Sequence, residues 1–244
     1  MHAIQPLRFS TLVAVETRKL TDTRSGRWML GVIVGLSAAA LAWKVGHADI
    51  PVSLRNYSNT VAAIVGFGAP IIGLLAMTSE WTQRTALATF TLAPRRQRVI
   101  AAKFIASMML SLALLAVGLL LALGATALSG SIHGHAMYDA TFDDLRGALV
   151  MVLLQVVMAS AFGALAAQTA IALVTYLAAP AIWADLAPEL FKGTAPWFDV
   201  FGAYTRLSSN QPLDHWAQTL VSITVWVAIP AAIGVARSIN REVK

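Results

Sequence analysis

The sequence predicts an all-α, polytopic membrane protein with six transmembrane helices in a single domain covering residues 1–244. Three observations predict it. Of 244 residues, 57% are hydrophobic and only 12% charged, and the mean hydropathy of +0.68 lies outside the balance of a soluble domain. Residues 147–184 contain no Asp, Glu, Lys or Arg, a run of 38 positions. As one helix that run would reach about 57 Å, nearly twice a hydrocarbon core of about 30 Å, so it must fold back on itself. Third, the basic residues fall into a few blocks between the apolar runs, as topology signals do.

The elements follow in chain order. In segment 6–24, Phe9, Leu12, Val13, Glu16 and Leu20 recur at the spacing of one helical face. This reads as an amphipathic helix lying at the membrane surface, with Arg18 on its other side. Glu16 stands inside the apolar stripe, where an unpaired carboxylate is costly. It either reaches water from the interface or meets a cation. The first span is read at 28–43, with Gly31, Gly35 and Ala39 forming a small-residue ridge. The second is read at 61–78, where Gly66, Gly68 and Pro70 favour a kink.

A short helix is expected over 79–93, capped by Thr78 or Ser79 and ended by Pro94. On it Glu80 and Arg84 are four apart and suited to an exposed pair. Trp81, Leu87, Phe90 and Leu92 exceed what so short a helix buries on its own account, so a partner's groove is a natural destination. Arg95, Arg96 and Arg98 then fall at headgroup level, and Lys103 can snorkel from the start of the third span, read at 99–128. "LSGS" at 128–131 reads as a turn ending that span.

The long uncharged run divides at Gln168 and Thr169 into a fourth span, 147–167, and a fifth, 170–187. Ser160, Gly163 and Ala167 make a second small-residue ridge, and Gln155 is an interior polar side chain that lines a pathway or bonds a neighbouring helix. Pro180 and Pro188 bend the end of the fifth span, and Pro230 bends the sixth, read at 217–236. Between them, 188–215 is aromatic and suits an interfacial belt or segments dipping into the membrane.

Thirteen of the 18 Lys and Arg lie before the first span, between the second span and the start of the third, where Lys103 falls, or after the sixth. Eight of the 12 acids lie on the opposite face. The positive-inside bias therefore places both termini in the cytoplasm and assigns the net charge of +6 to topology rather than to nucleic acid. No cleavable leader is evident in "MHAIQPLRFSTLVAVETRKL", so the first span is expected to direct insertion. Cysteine is absent, which excludes disulfides and thiolate metal sites.

Glu80, Thr85, Pro94 with Arg95, and Lys103, together with the amphipathic segment holding Glu16 and Lys19, form a pattern that resembles the permease subunits of ABC-2 type transporters. Arg84 stands where many members have Gly. The resemblance covers nearly the whole chain. It implies half of a pore, paired with a second permease as homodimer or heterodimer and with two copies of an ATP-binding subunit that carries ATP and Mg. Segment 79–93 would then be the coupling helix, and 188–215 a re-entrant outer gate. No cofactor is expected on this chain, which has no Gly-rich phosphate loop ending in Lys-Ser or Lys-Thr. The expected location is the inner, cytoplasmic membrane, and the expected cargo a lipid, a drug-like molecule or a peptide.

Two other classes compete. A membrane-embedded enzyme would need a site, and His133, His135, Asp139, Asp143 and Asp144 cluster in sequence after the third span, but their spacing matches no metal or nucleophile motif. A proton-coupled carrier would place ionisable groups near the middle of spans, and none of the six read here has one.

Overall fold

The computed structural model of the chain describes residues 8–47, 51–82, 96–209 and 214–240. Helices α1 (Phe9–Asp22), α2 (Arg24–Val45), α3 (Leu54–Thr82), α4 (Arg96–His133), α5 (Phe142–Ala166) and α6 (Thr169–Phe191) come first. A 3₁₀ turn (Lys192–Trp197) and α7 (Val200–Ser208) follow. Helix α8 (Trp216–Ile223) runs through a π-helical turn (Thr224–Ala228) into α9 (Ile229–Asn240). Six of the helical segments are long and apolar enough to cross a bilayer, and the chain is a multi-pass membrane protein. Among the described residues the sole extended pairing is an isolated bridge between Ser53 and Met137.

The spans are longer than their uncharged cores because helical hydrogen bonding continues past the last apolar residue. Helix α3 starts at Leu54, well before the uncharged run, and runs on through Thr82. No cap breaks it at Thr78 or Ser79: the Thr78 hydroxyl bonds back to Leu74 O at 3.1 Å and stays inside the helix. Residues 79–82 thus belong to the second span, and 83–93 lie outside the described residues. The span-ending turn expected at 128–131 is likewise absent, since α4 continues to His133. Gly130 and Ser131 cost helix propensity, but Ser131 satisfies its hydroxyl on Leu128 O without leaving the helix.

The fold-back in the long uncharged run lies where Gln168 and Thr169 place it. Ala167 takes a left-handed conformation with φ 53°, ending α5 on Gly163 O, and α6 starts at Thr169. At its other end α5 begins earlier than expected, with a capping box in which Thr141 and Asp144 satisfy each other's backbone N–H. Pro180 and Pro188 both sit within α6. Pro230 lies just beyond the π-helical turn, where its missing N–H removes a helical donor.

Two large apolar clusters, with a smaller one of Met77, Ile100 and Ala164, hold the bundle. One packs Ile33 and Leu41 of α2 with Tyr57, Val61 and Val65 of α3, Leu115 of α4, and Val152 and Val156 of α5. The other joins Leu74, Met158, Phe162, Tyr176, Val200, Tyr204 and Val227. Between α3 and α5 the backbones approach so closely that a Cβ on Gly163 would sit 2.9 Å from Leu74 O. The ridge on α5 is thus an internal seam. The ridge on α2 is different: Gly31 and Gly35 face open space. Trp28, Phe67 and Leu120 are among many large apolar side chains left exposed, as a lipid-facing surface requires.

Helix α1 packs on the start of α4, and the Arg96 guanidinium at that start donates to Ile239 O at 3.0 Å. The first and last described helices therefore end at the same end of the bundle, called here the α1 end. At the far end, Asp139 accepts from the Ser53 hydroxyl at 2.7 Å and from Arg55 N at 3.1 Å, pinning the α4–α5 loop to the start of α3. These bonds hold the Asp139 carboxyl below its ordinary range, the Ser53 bond being the larger cause.

Within 188–215, the chain folds back into the bundle. Val200 and Tyr204 of α7 are buried among α5 and α6 side chains, with the Tyr204 hydroxyl donating to Met158 Sδ at 3.0 Å. Arg146, at the far end of α5, donates to Ser209 O at 2.7 Å and so caps the carbonyl end of α7. Helix α7 consequently rises from inside the bundle to its far end.

Candidate functional site: a ring of four buried charges

The apolar stripe on α1 does face the protein, and Glu16 is its most buried member, at 5% exposure. Opposite it lie the last turns of α3 and the first turns of α4. Glu80 falls on the inner face of α3 and Lys103 on the inner face of α4, 6% and 4% exposed. Lys19, one turn along α1 from Glu16, reaches in from the rim with its side chain 41% exposed.

The four charges alternate around a closed ring. Lys19 Nζ donates to Glu16 Oε1 at 2.7 Å and to Glu80 Oε1 at 2.8 Å. Lys103 Nζ donates to Glu16 Oε2 at 2.9 Å and lies 3.2 Å from Glu80 Oε1. Its third proton goes to Ala76 O at 3.0 Å. An ammonium has three donors, and all three of Lys103 are used. Two acids and two bases sum to no net charge, which makes this burial tolerable where a single ion would not be. Burial alone would lower the Lys19 pKa, but its bonds and charge interactions with Glu16 and Glu80 outweigh that and raise it above the ordinary lysine value.

Two expectations are corrected here. Lys103 does not snorkel to the headgroups, because two carboxylates and a carbonyl offer its ammonium a complete shell inside the protein. Glu80 is not exposed, since the uninterrupted α3 turns it toward α1 and α4, where Lys19 and Lys103 meet it. Arg84 lies outside the described residues, as do Thr85, Leu87, Phe90, Leu92, Pro94 and Arg95. Trp81 falls on the last turn of α3. Arg96 caps the end of α9, and Arg98 is half-buried near it on α4.

The remaining residues singled out in the sequence sit elsewhere. Gly66, Gly68 and Pro70 lie mid-span in α3, with Gly68 against Ile33 and Gly66 beside the Gln155 amide. They are not part of the ring. A second polar tie was not foreseen: Thr169 Oγ1 donates to Thr78 Oγ1 at 2.8 Å and lies 3.2 Å from Thr82 Oγ1, joining the start of α6 to the end of α3. Nothing in the spacing of these threonines announces the contact, which exists because the α5–α6 turn brings them together.

The loop after α4 uses its polar groups structurally. His133 contacts Val45 O at 3.0 Å, His135 contacts His133 O at 3.0 Å, and Asp144 pairs with Arg55 at 3.1 Å. The ring holds no nucleophile with a base. What it can do is tie three elements: a displacement of α1, of the end of α3 or of the start of α4 must break charge-assisted bonds or carry the other two along. Comparison with known protein families, with characterised proteins and with solved structures finds no match to this chain.

Proposed function

We propose that the chain is the membrane-spanning permease subunit of an ATP-driven ABC transporter of the ABC-2 type. It would export a lipid, drug-like or peptide molecule by alternating access between two such subunits, identical or not. The observation that carries this reading is the ring of Glu16, Lys19, Glu80 and Lys103, placed immediately before the segment that would dock an ATPase. The positive-inside bias assigns that end to the cytoplasm, where two ATP-binding subunits with their ATP and Mg would lie. Closure of those subunits would push on 83–93, and the ring would pass the displacement from α3 to α1 and α4 together. The membrane would be the cytoplasmic one.

Purification of the tagged chain from its native membrane in mild detergent tests this, with co-purifying proteins identified and ATP hydrolysis measured. The expected result is a stoichiometric ATPase that is lost on changing Trp81 and Phe90 to Ala. A chain that purifies alone, stable and without hydrolysis, overturns the reading in favour of a membrane-embedded enzyme or scaffold.

A further inference from the structure

At the far end, helix α7 and its N-cap carry two charges of their own. Asp199 caps the start of α7 through Gly202 N at 3.0 Å, and Arg206 lies two turns along the same helix. An arginine near the rim of a bundle ordinarily extends its guanidinium outward to water. Arg206 does the opposite. Side chains on a helix lean toward its N-terminus, and α7 has its N-terminus inside the bundle. The guanidinium accordingly lies over Gly202: a Cβ there would overlap the Asp199 carboxylate and come within 3.2 Å of Arg206 Nη1. Only a glycine lets both charged groups lie this close to the helix.

The guanidinium is incompletely satisfied. Its Nε donates to Thr219 Oγ1 on α8 at 2.9 Å, while Nη2 is buried with no partner. Asp199 stands nearby without closing into an ion pair, among the described residues no other carboxylate pairs with Arg206, and residues 210–213 contain no acid. A half-buried cation whose buried nitrogen has no acceptor is costly, and such groups in membrane bundles mark binding sites. We propose that Arg206, with Gly202 and Thr219 around it, binds the anionic oxygens of an amphipathic molecule, such as the phosphate of an anionic phospholipid. A guanidinium fork takes two oxygens of a phosphate or carboxylate at once. Trp216 and Leu220, exposed on α8 on either side of Thr219, suit an attached chain better than a free ion. That the bound molecule is cargo rests on the transporter reading; the binding does not.

The test uses the purified full chain and its thermal unfolding with dioleoyl phosphatidic acid, zwitterionic dioleoyl phosphatidylcholine or inorganic phosphate added. A ligand bound to the folded state raises the unfolding temperature. Phosphatidic acid should raise it by several degrees over phosphatidylcholine. Arg206→Gln should abolish that difference while leaving the ligand-free protein at least as stable, because an unpaired buried charge is gone. Arg206→Lys should keep part of the shift. Asp199→Asn, which preserves the cap, should enlarge it by removing a competing carboxylate. A shift that survives Arg206→Gln, or no shift in the unaltered chain, overturns the site. A shift reproduced by inorganic phosphate alone overturns the amphipathic assignment and leaves a small-anion site. None of these results depends on whether an ATPase is found.

Discussion

Lys103 and Arg206 are both basic side chains held within a membrane bundle, one at each end, and their surroundings differ sharply. Lys103 has two carboxylates and a carbonyl within 3.2 Å, one contact for each proton. Arg206 has a single hydroxyl and an idle nitrogen. The α1 end is a completed electrostatic structure, in which three helices share a closed set of charges. The far end is held by half-exposed hydrogen bonds and contains one charge whose set is incomplete. A complete set resists change and suits a mechanical tie, whereas an incomplete one is suited to a ligand.

The largest test of this contrast is Lys103→Met. It removes the ammonium that two buried carboxylates share, and should cost about 3–5 kcal/mol in thermal or denaturant unfolding of the purified protein. Adding Glu16→Gln in the same chain should recover part of the loss, a coupling that a double-mutant cycle measures. Simple additivity would break the description of the ring as one unit.

Next in size is Gly163→Val, which adds atoms 2.9 Å from Leu74 O in the seam between α3 and α5. Overpacking of this kind should cost about 1–3 kcal/mol. It tests whether the α1 end depends on its charges or on the seam that aligns them. A loss equal to that of Lys103→Met would favour the seam.

Lys19→Met should cost less, at most about 1 kcal/mol, because its side chain is 41% exposed and its pairs are screened by water. Its pH dependence has a definite sign. The folded-state pKa is raised, so the Lys19 contribution is complete below the ordinary value of 10.5 and is lost as pH rises through the higher native value. The stability difference between Lys19→Met and the unaltered chain should therefore stay constant through neutral pH and shrink only in strong alkali.

The smallest effect belongs to Asp139→Asn at the far end. The native pKa is depressed, so its contribution is present above the ordinary value of 3.8 and is lost as pH falls through the lower native one. At neutral pH the substitution should lower the unfolding temperature slightly, and once the pH has fallen below the depressed native pKa the two proteins should unfold alike, since both side chains are then uncharged. A persistent difference in acid would show that Asp139 acts through shape.

One member of the ring was legible in the sequence. Glu16 betrayed itself by standing in an apolar stripe, and of the two outcomes open to it, water or a cation, the structure shows the cation. Its partners were not legible, because Lys103 is 87 residues away and pairs with it only once α1 lies across the start of α4. The exposure expected of Glu80 was misread for a related reason: a local rule cannot see that α3 continues unbroken and turns Glu80 inward. Arg206 carried no signal at all in a polar, aromatic loop.

The sequence by itself determined what depends on local composition: six apolar helices, the turn at Gln168 and Thr169, and the amphipathic face of α1, each following from desolvation and helical period along a short stretch. Tertiary structure alone decided which charges meet and which are left over. Pairing across 61 or 87 residues depends on how helices cross and rotate, and those angles are set by the packing of glycine seams and apolar clusters rather than by any neighbour in the chain.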